Sequence, residues 1–120
     1  MNVKLTKKPI PTVTVTGEID HYNAHWVTPA IREATQSGSS IIIDLKEVNY
    51  LDSAGVQLIF LASRLVSGYG GRAVLVIKND NVRRILEITG VDSIPTLEMV
   101  SSMATAKKHL EAPQSSPDGD

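Results

Sequence analysis

The chain has 120 residues, 42% hydrophobic and 21% charged, which is enough for one compact domain and too few for two. Twelve Lys and Arg against thirteen Asp and Glu give a net charge of −1. The composition therefore does not predict a broad cationic surface for binding nucleic acid. The sequence has no cysteine, which excludes disulfides, thiolate metal sites and a cysteine nucleophile. With no apolar run long enough to span a membrane and no secretory signal, we expect a cytoplasmic protein with no membrane partner.

The first half of the chain predicts a strand, a strand, a helix and a strand, at residues 3–5, 12–16, 28–36 and 40–45. The second strand alternates valine with threonine, which is typical of a half-buried strand, and Gly17 marks its end. After a loop at residues 21–28, the helix takes Thr28 as its N-cap and Pro29 in its first turn. The last of these strands is apolar on both faces, as expected of a central parallel strand.

The second half predicts a helix, a strand, a helix, a strand and a helix, at residues 53–67, 73–77, 81–89, 96–99 and 102–111. The first of these helices has apolar residues at positions 54, 58, 61, 62 and 65 and ends at a cluster of glycines. Alternating strands and helices predict an α/β fold, with right-handed crossovers and helices laid over a central sheet. Residues 112–120 have no large apolar residue, so we expect a domain at 1–111 and a disordered tail at 112–120.

Polar residues follow two predicted strands, as Gly-Glu-Ile-Asp at residues 17–20 and as Leu-Asp-Ser-Ala-Gly at residues 51–55. Ends of strands are where α/β proteins place their sites. Ser53 begins the clearest predicted helix, where unpaired N–H groups and the helix dipole favour an anion, so a phosphate on Ser53 would be tolerated. The alternative is that Asp52 or Ser53 merely caps the helix.

One narrow sector of the helix at residues 53–67 faces away from its predicted apolar stripe. At about 100° per residue it contains, with Val56 at its edge, the residues Ser53, Gln57, Phe60 and Arg64. Phe60 is unexpected among polar neighbours. Either a neighbouring loop covers its ring, or the ring is an exposed apolar anchor for a partner.

Three segments together resemble the STAS domain of bacterial anti-sigma factor antagonists. They read Gly-Glu-Ile-Asp-His, Ile-Ile-Ile-Asp-Leu and Leu-Asp-Ser-Ala-Gly-Val, at residues 17–21, 41–45 and 51–56. The order of predicted elements is similar to that of the family from about Val3 to Leu110. The resemblance implies a small mixed sheet of about four to five strands with about four helices packed against it.

The resemblance also implies a phosphorylation switch. Ser53 matches the serine that is phosphorylated by a partner which is both kinase and anti-sigma factor, and Asp20 matches an acidic turn residue near that serine. The unphosphorylated protein would bind the anti-sigma factor kinase and release the sigma factor, and a serine phosphatase would reset the cycle. We therefore predict a binding protein, not an enzyme, with no cofactor and with a partner surface at Asp20, Asp52, Val56, Gln57, Phe60 and Arg64.

The chain departs from the family pattern in three places. Ala54 stands where the family often has a second hydroxyl, Gln57 replaces a frequent glycine, and Pro29 lies about four residues later than in many relatives. STAS domains also serve, without phosphorylation, as accessory subunits of lipid-transport complexes or in other signalling arrays. A non-phosphorylated accessory domain is therefore the alternative interpretation.

Catalytic and metal sites are less well supported by the sequence. His21 and His25 are four residues apart, but the sequence offers no third metal ligand beside them. Asp20, Asp52 and Lys78 are similar to the acidic pocket of response regulators, although the paired acids of that fold are missing. Ser53 lacks the Gly-x-Ser-x-Gly setting of a serine hydrolase, so we expect neither a metal site nor catalysis.

Overall fold

The computed structural model describes residues 1–111, which form a five-stranded mixed sheet with four helices, and this confirms the predicted fold class. The strands are β1 Asn2–Thr6, β2 Thr12–Ile19, β3 Ile41–Leu51, β4 Ala73–Val76 and β5 Leu97–Val100. The helices are α1 Thr28–Ser37, α2 Ser53–Gly68, α3 Asp80–Ile88 and α4 Met103–Glu111, with short 3₁₀ helices at Ala24–Trp26 and Val91–Ser93. The tail predicted at residues 112–120 lies outside the described residues. Within residues 1–111, no helix combines the length and apolar character needed to cross a membrane.

The strands lie in the order β1-β2-β3-β4-β5, with β1 antiparallel to β2 and every other pair parallel. Because side chains alternate along a strand, Ile41 and Ile43 face one side of the sheet and Ile42 faces the other. The larger apolar cluster, on the side of Ile43, is covered by α1, α2 and α3. The smaller cluster, on the side of Ile42, is covered by α4 through the fully buried Ala106.

Two strands extend further than predicted. Gly17 does not end β2 but lies inside it with φ of +96°, beside a register shift between Gly17 and Glu18. Glycine adopts a positive φ readily and is therefore common at β-bulges and similar irregularities of strand pairing. Pairing with β3 resumes at Glu18 and Ile19. The strand β3 likewise continues to Leu51, which is paired with Ile19. The two polar loops therefore begin side by side at one edge of the sheet.

The start of α1 also differs from the prediction. Pro29 does lie in the first turn, but Thr28 is the first helical residue and not the N-cap. The cap position is Val27, whose φ of −84° and ψ of −30° are already helical. The chain enters α1 directly from the 3₁₀ helix Ala24–Trp26, so Thr28 lacks the extended backbone that an N-cap side chain requires.

The buried face of α2 is rotated from the predicted stripe. Of the predicted apolar positions, Leu58 and Ala62 are buried, whereas Ala54, Leu61 and Leu65 are partly exposed. Gly55 is on the buried face, where an added Cβ would lie 2.8 Å from the Leu51 Cβ. A close approach of the helix to the strand ends needs a small residue, which a count of apolar positions does not reveal.

Candidate functional site

The site is built where the loop after β2 meets the first turn of α2. The main-chain N–H of Asp52 donates to the carbonyl of Ile19 at 3.2 Å, which extends the pairing of the two strands by one residue. Ser53 follows as the first residue of α2 and is exposed. The two segments that sequence analysis identified separately are therefore one structural unit.

Asp52 holds this unit together with both of its carboxylate oxygens. Oδ1 accepts a hydrogen bond from the main-chain N–H of Ala54 at 2.9 Å, which is an N-cap of α2. Oδ2 accepts from the main-chain N–H of His21 at 3.1 Å and lies 3.4 Å from the Nδ1 atom of the same residue. The capping role considered for Asp52 is thus correct, and the same side chain also binds the loop after β2.

The pKa of Asp52 is lowered from its ordinary value of 3.8. Burial raises the pKa, but hydrogen bonds from the Ala54 N–H, the His21 ring, the His21 N–H and the Gly55 N–H together outweigh that effect. Asp52 is therefore a carboxylate at neutral pH, next to the exposed hydroxyl of Ser53.

Asp20 organises the loop after β2. Its Oδ1 accepts hydrogen bonds from the main-chain N–H groups of Tyr22 at 2.9 Å and Asn23 at 3.0 Å. The Asn23 side chain accepts from the Asp20 N–H at 2.9 Å, which closes the turn. Asp20 therefore fixes the entry to the 3₁₀ helix Ala24–Trp26, and it is the neighbouring His21 that contacts Asp52.

Asp44, the aspartate of the Ile-Ile-Ile-Asp-Leu motif, has a structural role within β3. Asp44 is only 3% exposed, and its carboxylate lies 2.6 Å from the ammonium of Lys46. The main-chain N–H of Lys46 also donates to this carboxylate, at 3.1 Å. Within residues 1–111, Lys78 forms no ion pair with Asp20 or Asp52, the two acids that the sequence grouped with it.

Three residues of the predicted sector of α2, Gln57, Phe60 and Arg64, but not Ser53, line one wall of a groove, which we call the α2 groove. Its opposite wall is the 3₁₀ helix Ala24–Trp26 and the start of α1, and its volume is about 510 Å³. The groove is lined by three residues of that wall, Ala24, His25 and Thr28, and by six of α2, Ala54, Gln57, Leu58, Phe60, Leu61 and Arg64.

The side chains of this wall differ in exposure. Gln57 and Arg64 are exposed, and Phe60 is partly buried because it packs against the larger cluster. Val56 is 5% exposed and belongs to that cluster, so its predicted place at the edge of the exposed sector is wrong. The buried face of α2 is rotated from the predicted stripe, which brings Val56 inside it.

Sequence analysis missed the exposed aromatic residues of the loop after β2. Tyr22 is 76% and Trp26 is 66% exposed. Each stacks on a histidine, with ring centroids 4.0 Å apart for His21 and Tyr22 and 4.9 Å apart for His25 and Trp26. The chain has only five aromatic residues, and two of them fall within the five positions 22–26 shortly after a strand end, which was a usable signal.

The two histidines of this loop do not converge on one point. The ring of His21 faces Asp52, whereas the ring of His25 stacks on Trp26. Within residues 1–111, no group of three or more His, Cys, Asp or Glu is arranged to hold a metal ion.

The chain matches one protein family and several known proteins over most of its length. The family profile described as STAS domain matches residues 3–106 of the chain. An anti-sigma-B factor antagonist of Listeria monocytogenes is 32% identical over 109 residues, covering 83% of this chain and 92% of the relative. An anti-sigma-B factor antagonist of Bacillus subtilis is 30% identical over 82 residues, covering 68% of this chain and 75% of the relative.

Solved structures show the same fold at lower sequence identity. An anti-sigma factor antagonist from Mycobacterium paratuberculosis superposes with a TM-score of 0.79 at 23% identity, covering 91% of this chain and 92% of the other. The anti-sigma factor antagonist SpoIIAA in its unphosphorylated form gives 0.70 at 17% identity, covering 93% and 98%. The phosphorylated form of Bacillus SpoIIAA gives 0.68 at 20% identity, covering 92% and 100%.

Proposed function

Because the chain belongs to the STAS domain family, we propose that it is an anti-sigma factor antagonist, a binding protein switched by phosphorylation and not an enzyme. In its unphosphorylated form it binds an anti-sigma factor that is also a serine kinase, and the sigma factor is released. The observation that carries this proposal is the placement of Ser53, which is exposed as the first residue of α2, between the capping Asp52 and Ala54, a residue that lines the α2 groove.

The switch acts through charge. The kinase transfers the γ-phosphoryl group of ATP to the Ser53 oxygen, ADP leaves, and the hydroxyl proton passes to a base of the kinase. The product carries about −1.5 to −2 charges at neutral pH, directly beside the Asp52 carboxylate. A partner surface that fits a neutral serine then binds poorly, because the phosphate is bulky and places negative charge at the interface. A serine phosphatase hydrolyses the ester and restores the binding form.

The partner surface that we propose has a rigid part and a contacting part. Asp20 and Asp52 belong to the rigid part, because their carboxylates accept hydrogen bonds that hold the loop after β2 and the first turn of α2. Gln57, Phe60 and Arg64 line the groove and contact the kinase directly. Kinase, ATP and sigma factor occur together in the cytoplasm, which is where we place the protein.

The first test is phosphorylation of the purified chain. A pull-down from the native cytoplasm identifies the kinase, and incubation with that kinase and labelled ATP follows. We expect label on the wild type and on Ser67→Ala, which removes another exposed serine of α2, and none on Ser53→Ala. Label on a different residue would overturn the assignment of Ser53. Recovery of transporter subunits in place of a kinase would favour an accessory STAS domain.

A further inference from the structure

We propose that His21 is a positioning residue for the phosphoryl group on Ser53, and that its ring exchanges the Asp52 carboxylate for the phosphate when the serine is modified. This inference rests on the proposed function, because it requires that Ser53 carries a phosphate. It goes further by assigning a role to a residue of the loop after β2 and by stating how that loop responds to the modification.

The contacts of His21 make such an exchange possible. Its main-chain N–H donates to Asp52 Oδ2 at 3.1 Å, which holds the residue beside the start of α2 whatever its ring does. The ring nitrogen lies 3.4 Å from the same oxygen, a long contact that is given up easily, and the side chain is 66% exposed. Ser53 directly follows Asp52 in the chain, and we infer from this that the exposed ring can turn from the Asp52 carboxylate to a phosphate on the Ser53 oxygen.

The charges around the ring favour the exchange. Within residues 1–111, His21 is the one basic side chain within ion-pair distance of the Asp52 carboxylate. Two titratable groups lie next to His21 in the chain, the Asp20 carboxylate, which accepts hydrogen bonds within its own turn, and the Tyr22 phenol, whose ring stacks on His21. A phosphate of about two negative charges attracts an imidazolium more strongly than a single carboxylate does.

The exchange changes the loop and leaves the helix intact. Asp52 keeps its hydrogen bonds to the Ala54 N–H and to the His21 N–H, so α2 stays capped. The imidazole ring moves, and with it the stacked ring of Tyr22, which is 76% exposed. Phosphorylation is thereby transmitted from Ser53 to the exposed aromatic surface of the loop.

The test uses the full chain with phosphoserine incorporated at position 53 during translation, so that no kinase is involved. The ³¹P resonance is followed by NMR from about pH 5 to pH 8, a range that brackets the second ionisation of the phosphate near pH 6. We expect a midpoint about one pH unit lower in wild type than in His21→Gln, because an imidazolium in contact with the phosphate favours its dianion. His25→Gln is the matched control, since it removes the other ring-stacked histidine of the same loop, and its midpoint should equal that of wild type.

A second measurement uses the wild type alone. On phosphorylation the ring protons of His21 should shift strongly while those of His25 stay near their positions. Equal phosphate midpoints in wild type and His21→Gln, or an unresponsive His21 ring, would overturn the proposal. Because the phosphoserine is installed without a kinase, these outcomes are independent of whether a kinase recognises Ser53.

Discussion

At the residue scale, the site depends on polar side chains that serve the fold and the switch together. Asp52 caps α2 through one oxygen and binds His21 through the other, so the residue before the proposed phosphorylation site also fixes the loop beside it. The motif that contains Asp52 and Ser53 was visible in the sequence because it follows a strand and begins a helix. The contact with His21 was not, since it joins residues 31 apart that pair only once β2 and β3 are extended.

Phe60 tests whether the α2 groove binds the partner. We expect Phe60→Ala to weaken the complex by about 2 kcal/mol, roughly 30-fold, because an aromatic residue in a groove commonly acts as a binding anchor. Leu65→Ala is the matched control, since Leu65 is also partly buried against the larger cluster but does not line the groove. Each variant should lose on the order of 1–2 kcal/mol of unfolding free energy. Equal affinities of the two variants in isothermal titration calorimetry would show that the partner binds elsewhere.

At the element scale, the sequence predicted the five strands and the four α-helices within residues 1–111, but it missed both 3₁₀ helices and placed several ends incorrectly. Local patterns of residues identify the elements well. The ends of β2 at Gly17 and of β3 before residues 46–51 were predicted too early, because the neighbouring strand decides whether pairing continues. The rotated face of α2 has a similar cause. Gly55 and Ser63 are buried there, and neither is recognised by a pattern of apolar residues. Ser63 is satisfied by donating to the carbonyl of Phe60 at 2.7 Å.

Two glycines of α2 provide a prediction at this scale. An added Cβ at Gly55 would lie 2.8 Å from Leu51 Cβ and 3.4 Å from Ile19 Cγ2, whereas none of the described atoms lies within 4 Å of one at Gly68. We expect Gly55→Ala to lower the unfolding free energy by about 1–3 kcal/mol through overpacking. Gly68→Ala should raise it by up to about 1 kcal/mol, because alanine favours a helix. Urea denaturation followed by circular dichroism measures both, and a stabilised Gly55→Ala would show that α2 does not need its close approach to the strand ends.

At the scale of the whole molecule, the sheet separates the proposed site from α4. The helices α1, α2 and α3 pack on the face that holds the larger cluster, and the α2 groove lies between two of these elements. The helix α4 covers the other face, and near its end His109 forms an ion pair with Glu98, while Arg72 donates to the His109 carbonyl at 3.1 Å. Binding of the partner should therefore be largely independent of how firmly α4 is docked.

Ala106 tests this independence. It is fully buried in the smaller cluster with Ile42, Val74 and Val76, so a carboxylate at this position loses its hydration without gaining a partner. We expect Ala106→Glu to detach α4, with faster hydrogen exchange at residues 103–111 and a loss of at least about 2 kcal/mol of unfolding free energy. Ala104→Glu, on the exposed side of the same helix, should stay within about 0.5 kcal/mol of wild type. Both variants should bind the kinase with wild-type affinity, because the site is on the opposite face of the sheet. If Ala106→Glu loses binding together with α4 while its larger cluster remains folded, the two faces of the sheet are coupled and the partner surface extends beyond the α2 groove.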